Sequence, residues 1–122
     1  MAGVLRVGID LVQVSRIAGS IDAFGERFLT RVFTDREVAY ARSTNDLAAR
    51  LAARFAAKEA TKKALRLDGV GWRDIEVVRA PDGACELALY GAARAALGDR
   101  ALALSMSHEG DHATAVVIAS SP

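Results

Sequence analysis

Glu59 offers more chemistry than any other residue in this chain. It lies in Arg54-Phe55-Ala56-Ala57-Lys58-Glu59-Ala60-Thr61-Lys62-Lys63, which reads as part of a long alanine-rich helix. Leu51, Phe55, Glu59 and Lys63 recur every fourth residue and so share one stripe. The stripe starts apolar and ends with a carboxylate and an ammonium. A carboxylate on a core-facing stripe is costly unless it is paired, neutralised or bound to a cation. Arg54, Lys58 and Lys62 form the neighbouring stripe, where like charges four apart repel by about 0.2–0.5 kcal/mol per pair. One acid beside a cationic ridge suits a metal ion and a phosphorylated ligand. The plain alternative is a Glu59–Lys63 surface pair worth a few tenths of a kcal/mol. The position of Glu59 beyond Leu51 and Phe55 favours a partly buried, functional carboxylate.

A second acid, Asp10, interrupts the apolar run Val7-Gly8-Ile9-Asp10-Leu11-Val12. Taken alone, it reads as a helix cap or a polar strand end. Gly8 beside it lets another backbone or a ligand come close. Two carboxylates distant in sequence can build an open magnesium site, because magnesium keeps several waters and is held by one or two carboxylates plus substrate phosphates. Singly, Arg54, Lys58, Lys62 and Lys63 are ordinary exposed helix residues. As a cluster they suit phosphate, lysine as a point charge and arginine as a fork. His108 follows Ser105-Met106-Ser107 at a strand end, where a lone histidine is more often incidental; His112 is a weaker signal of the same kind. Trp72 and Tyr90 read as packing residues. Gly69 and Gly71 make no Walker loop, since G-x-x-x-x-G-K-[ST] is absent from the sequence.

The elements that must position these groups can be read from pattern. Val4–Val12 is a strand, with Val7, Ile9 and Leu11 on one face and Gly8, Asp10 and Val12 on the other. Arg16–Phe24 is a short helix capped by Ser15, followed by a basic, partly irregular link from Arg27 to Phe33. Thr34-Asp35-Arg36-Glu37 is a capping-box pattern that starts a helix running to about Arg42. Ser43–Asp46 ends that helix and caps the longest one, from about Asp46 to Leu65. Asp74–Arg79 and Glu86–Tyr90 form a hairpin around Pro81-Asp82-Gly83. Gly91–Leu97 is a short helix. Ala101–Ser107 and Ala113–Ser120 are strands joined by His108-Glu109-Gly110-Asp111-His112. With no internal repeat or linker, the 122 residues predict one α+β domain.

Composition narrows the function. A net charge of +1 argues against a general nucleic-acid binder, although Arg27, Arg31, Arg36, Arg42, Arg50 and Arg54 crowd the first half. The single cysteine, Cys85, excludes an intrachain disulfide and a cysteine-based zinc site, and fits a cytosolic setting. No apolar run approaches the roughly 20 residues that span a bilayer. The opening Met1-Ala2-Gly3-Val4 is too short for a signal h-region, since Arg6, Gly8 and Asp10 interrupt it. Much of the apolar content is alanine, which packs closely but buries little area, so self-association is expected to add stability.

Gly8-Ile9-Asp10, Arg54-Phe55-Ala56-Ala57-Lys58-Glu59-Ala60, Trp72-Arg73-Asp74-Ile75-Glu76-Val77 and Ser105-Met106-Ser107-His108 occur in that order. The chain resembles the holo-[acyl-carrier-protein] synthases, the small bacterial class of 4'-phosphopantetheinyl transferases, over roughly Val4 to Ala119. The resemblance implies an antiparallel sheet with a long central helix, in homotrimers whose active sites lie between subunits. It implies transfer of 4'-phosphopantetheine from coenzyme A to a serine of an apo acyl carrier protein, releasing adenosine 3',5'-bisphosphate. Asp10 and Glu59 match the family's magnesium ligands. Lys63 matches the lysine that contacts the pyrophosphate. Lys58 and Arg54 would hold coenzyme A or shape the site, and His108 would contact a phosphate. Arg16 matches an arginine facing the acidic carrier, with Arg27 and Arg31 extending that patch. The base for the serine hydroxyl is Glu59 or a metal-bound water.

Two departures stand out. Arg66 follows Ala64-Leu65 where the family usually has glycine, and Gly83-Ala84-Cys85 replaces a Gly-Lys-Pro hairpin near the coenzyme A adenine region. The latter motivates a rival reading, a non-catalytic module that binds carrier protein with the same fold. A hydrolase acting on a pyrophosphate ligand is a third. Neither rival accounts for all four motifs.

Overall fold

Alanine at positions 52, 53, 56, 57, 60 and 64 lets one helix run through the centre of the molecule with neighbours on nearly every side. The computed structural model describes residues 3–122. Met1 and Ala2, part of the opening judged too short for a signal, lie outside them. The chain order is β1 (Leu5–Gln13), α1 (Val14–Phe24), α2 (Glu26–Val32), α3 (Asp35–Arg42), α4 (Leu47–Leu65), a 3-10 turn (Trp72–Asp74), β2 (Ile75–Arg79), β3 (Cys85–Leu89), α5 (Gly91–Leu97), β4 (Ala101–Glu109) and β5 (His112–Ser120). The fold is α+β. A three-stranded antiparallel sheet of order β1-β5-β4 packs on α4, and β2 and β3 form a separate hairpin.

Strand β1 meets α4 at its backbone. A Cβ on Gly8 would stand 2.0 Å from the Ala60 carbonyl oxygen, a distance no side chain tolerates. This approach sets the gap between the strand carrying Asp10 and the helix carrying Glu59. The register aligns Asp10 with Ala115 of β5, and Ala115 with Met106 of β4. Ala113, Ala115, Val117 and Ala119 of β5 are buried against the helix, small side chains again permitting close contact.

The helix ends follow local chemistry. The Thr34 capping box forms in full, with the Thr34 hydroxyl accepting from the Glu37 N–H and Glu37 accepting from the Thr34 N–H. The segment expected to be an irregular link is helix α2, because Leu29 and Val32 bury a face and Gly25, at φ +55°, turns the chain into it. The expected Ser15 cap is absent. Ser15 lies inside α1, and Asp111 of the β4–β5 turn caps the helix instead, accepting from the Ser15 N–H at 2.9 Å and the Ser15 hydroxyl at 2.7 Å. These bonds hold the Asp111 carboxyl below the usual range. Asp46 precedes α4 where expected, but its side chain makes no cap. The strands β4 and β5 extend further than their sequence suggests, so His108 and His112 lie on strands and only Gly110 and Asp111 turn the hairpin.

At the far end of α4, Arg66 occupies the left-handed position that glycine usually takes. Leu67 N–H bonds to Lys62 O and Arg66 N–H to Lys63 O, the paired bonds of a Schellman stop. The outer face of the large sheet is bare. Leu5, Val7, Ile9 and Leu11 of β1 and Ile118 of β5 are exposed there. Among the described residues no helix is long and apolar enough to cross a membrane.

Candidate active site

Asp10 and Glu59 line one groove of about 420 Å³, together with Gln13, Arg16, Ser20, Phe28, Phe55 and Trp72. Asp10 faces α4 because it shares the inward side of β1 with Gly8 and Val12. Its side chain is 18% exposed, and its backbone carbonyl accepts from the Thr114 hydroxyl at 2.8 Å. Glu59 reaches the same groove from the adjacent turn of α4. Lys63 does not form the alternative pair with Glu59. Its ammonium donates to the Ile9 carbonyl at 2.8 Å and lies 3.4 Å from Asp10 Oδ1. Among the described residues Glu59 forms no ion pair.

Arg16 therefore stands on the rim of the carboxylate groove. Arg27 and Arg31 border a second, mostly apolar groove of about 440 Å³ with Phe24, Phe28, Val32, Phe55 and Trp72. Phe28, Phe55 and Trp72 line both grooves, so the three arginines and the two acids flank one aromatic wall. Trp72 stacks on Phe55 at 5.0 Å between ring centroids, and the Lys62 ammonium sits 3.4 Å from the indole centroid. Trp72 is a packing residue, as its type predicts, and also a groove wall, which sequence reasoning missed. Phe28 was missed too, since its segment read as an irregular link.

A family model for the 4'-phosphopantetheinyl transferase superfamily matches residues 6–117. The chain belongs to that superfamily. A holo-[acyl-carrier-protein] synthase of Koribacter versatilis is 47% identical to it over 121 residues, spanning 94% of this chain and 97% of the relative. One from Paramagnetospirillum magneticum is 46% identical over 124 residues, spanning 94% and 95%. Among solved structures, the ACPS–CoA complex from Chronobacterium ammoniagenes superposes with a TM-score of 0.85 at 34% identity, covering 95% of this chain and 96% of that one. Helicobacter pylori holo-[acyl-carrier-protein] synthase in complex with coenzyme A gives 0.83 at 29% identity, covering 93% and 98%. The resemblance read from four motifs thus extends to the whole fold, and the chain is an enzyme of the holo-[acyl-carrier-protein] synthase type.

Within this transferase the expected cationic ridge is corrected. Lys58 is 0% exposed, and its ammonium bonds to Glu37 Oε1 at 2.7 Å, to the Trp72 carbonyl at 3.1 Å and to the Ile75 carbonyl. An ammonium has three protons, and all three are used. Burial pushes the Lys58 pKa down, and Glu37 opposes that shift. Arg54 is 3% exposed, its guanidinium 4.4 Å from the centre of the Tyr40 ring and donating to the Arg50 carbonyl. Burial likewise lowers its pKa. Lys58 has no proton left for a phosphate within the chain, and Arg54 is buried away from solvent with its Nε unpartnered. The reason is packing: α3 and the β2 hairpin cover this flank of α4, which a helical stripe alone cannot reveal.

His108 is exposed at the end of β4 and does not line the carboxylate groove. Strand β5 intervenes, putting β4 about 10 Å from β1. The donors in the groove fit a hard divalent cation. Two carboxylates on separate elements supply oxygen, and among the described residues no three metal-ligating side chains converge. That set is too small for a closed structural zinc site, but it suits magnesium completed by water and phosphate.

Proposed function

We propose that this chain transfers 4'-phosphopantetheine from coenzyme A to a serine hydroxyl of an apo acyl carrier protein. The products are holo carrier protein and adenosine 3',5'-bisphosphate. The observation that carries this reading is the juxtaposition of Asp10 with the unpaired Glu59 in one groove beside Lys63 and Arg16. The relatives named for this reaction, and neighbours solved with coenzyme A, agree with it.

Asp10 and Glu59 would hold magnesium, which supplies charge neutralisation on the pyrophosphate and polarises the attacked phosphorus. The serine oxygen forms a bond to the phosphorus that bears the pantetheine arm. The bond from that phosphorus to the bridging oxygen breaks, and the adenosine bisphosphate leaves with the electron pair. The serine proton passes to Glu59 or to water in the groove. Lys63, 55% exposed, is loosely held at Asp10 and can turn its ammonium to the diphosphate. Arg16, Arg27 and Arg31 steer an acidic carrier to the groove; such pairing raises the association rate and weakens with salt.

His108 enters through assembly. In the proposed homotrimer the bare apolar faces of the large sheets pack together, and His108 of a neighbouring copy meets the phosphates at the carboxylate groove. The exposed Leu5, Val7, Ile9 and Leu11 stripe favours that arrangement. The test is direct. Incubated with coenzyme A, magnesium and an apo carrier protein, the enzyme should add one phosphopantetheine mass to the carrier. Absence of the adduct on several apo carriers overturns the reading.

A further inference from the structure

We propose that Lys58 is a positioning residue: its buried ammonium, neutralised by Glu37, fixes Trp72 as the aromatic wall shared by the two grooves. The proposal rests on the transferase reading for its kinetic readout and on the structure alone for its spectroscopic one.

A lysine one residue before the reactive Glu59 is fully buried and lines neither groove, and of its three partners only Trp72 borders them. Burying this pair is expensive, and an apolar pair of similar volume would ordinarily serve stability as well or better. The charge serves convergence instead. Lys58 joins the Trp72 and Ile75 carbonyls at the two ends of the turn that carries Trp72 into β2. Glu37 joins the same centre to the start of α3 and again to β2, accepting from the Thr34 N–H at 2.9 Å through Oε1 and from the Val77 N–H at 2.9 Å through Oε2. One ion pair therefore ties α3, the 3-10 turn and β2 to a single residue of α4.

The indole of Trp72 is gripped by the same helix. Phe55, one turn before Glu59, stacks against it, and Lys62 lies over it. Backbone and ring are thus both referenced to α4. Any shift of the turn would move the wall that bounds the carboxylate groove on one side and the arginine-rimmed groove on the other. Holding such a wall in advance of binding lowers the ordering cost of each substrate.

Trp72 is the only tryptophan in the chain, so its emission reports this wall alone. In the Lys58→Met/Glu37→Gln double variant, both charges leave together and no ion is stranded. With the fold checked by circular dichroism, its emission should shift to the red and iodide quenching should rise about threefold. KM for coenzyme A or carrier should rise about tenfold with kcat within about twofold. Unchanged emission and KM in the folded double variant overturn the proposal, as does a loss confined to kcat. Trp72→Phe leaves the ion pair intact and covers the case in which the double variant does not fold. It should raise KM severalfold at similar kcat, and wild-type KM values for both substrates would overturn the proposal. If the wild-type protein makes no adduct, the transferase reading fails, while Trp72 emission in the double variant still decides the positioning.

Discussion

Glu59 is the residue at which charge placement is most exposed to test. Glu59→Gln keeps the shape and removes the carboxylate. Transfer should fall by on the order of a thousandfold or more, because a charge that organises phosphoryl transfer is worth several kcal/mol in the transition state. Thermal stability should hold or rise slightly, since an acid with no ion pair is neutralised. Initial rates and melting curves measured on the same sample separate the two effects. A second residue, Glu76, contributes to pH dependence. Burial raises its pKa, but hydrogen bonds from Arg36, Thr34 and Tyr90 outweigh burial and leave it lowered. The unfolded chain then binds more protons than the folded one in acid, so stability is present above the ordinary carboxylate range and lost as pH falls through and below about 4. Wild-type melting temperature should drop between about pH 5 and pH 3, and Glu76→Gln should show a shallower fall across that window. The spatial grouping was legible in part: Asp10, Glu59 and Arg16 line one groove, and Lys63 lies 3.4 Å from Asp10. Lys58 and Arg54 were misread as exposed cations, because burial depends on which elements cover a helix, and nothing in the spacing of Arg54, Lys58 and Lys62 says that α3 and β2 do so.

At the level of elements, two positions show how local backbone demands shape the site. Gly8 allows β1 to touch α4, and a methyl there would collide with the Ala60 carbonyl. Gly8→Ala should cost about 3 kcal/mol or more, comparable to severe core overpacking, and should lower activity by separating Asp10 from Glu59. Denaturant titration and transfer rates would check both. Arg66 presents the opposite case. A side chain sits at φ +55° where glycine carries no penalty. Arg66→Gly should stabilise the protein by about 0.5–1 kcal/mol, read as a higher denaturant midpoint, because relief of the left-handed backbone exceeds the added freedom of the unfolded chain. Most elements were legible from such local rules: the Thr34 capping box, the Pro81-Asp82-Gly83 turn and the alternation in β1. The exceptions have physical causes. Helix α2 was hidden because its seven residues bury only Leu29 and Val32, too few to show a helical period among the arginines. The cap of α1 was hidden because Asp111 comes from 96 residues away, beyond any sequence window.

For the whole molecule, the role proposed for His108 sets a geometric demand, because His108 lies on the strand farthest from the one that carries Asp10. The proposed homotrimer answers it by lending His108 from one copy to the Asp10–Glu59 groove of the next, as the apolar faces of the sheets close on one another. Val7→Asp would place a charge in the middle of that face. It should yield monomers by light scattering, together with loss of transfer, although Asp10, Glu59 and Lys63 are untouched. Mixing separates shared sites from mere structural dependence on assembly. Asp10→Asn and His108→Ala copies should each be weak on their own. Unfolded together and refolded as mixed rings, they create some junctions in which an intact Asp10 of one copy faces an intact His108 of its neighbour. For random assembly of equal amounts, each junction has that composition about a quarter of the time, so activity should recover to roughly a quarter of wild type. A site contained within one chain gives no such gain, because every copy still carries its own defect. Mixed samples no faster than the mean of the two parents would return His108 to the status of an incidental strand-end residue and leave the groove to Asp10, Glu59, Lys63 and the arginines of a single chain.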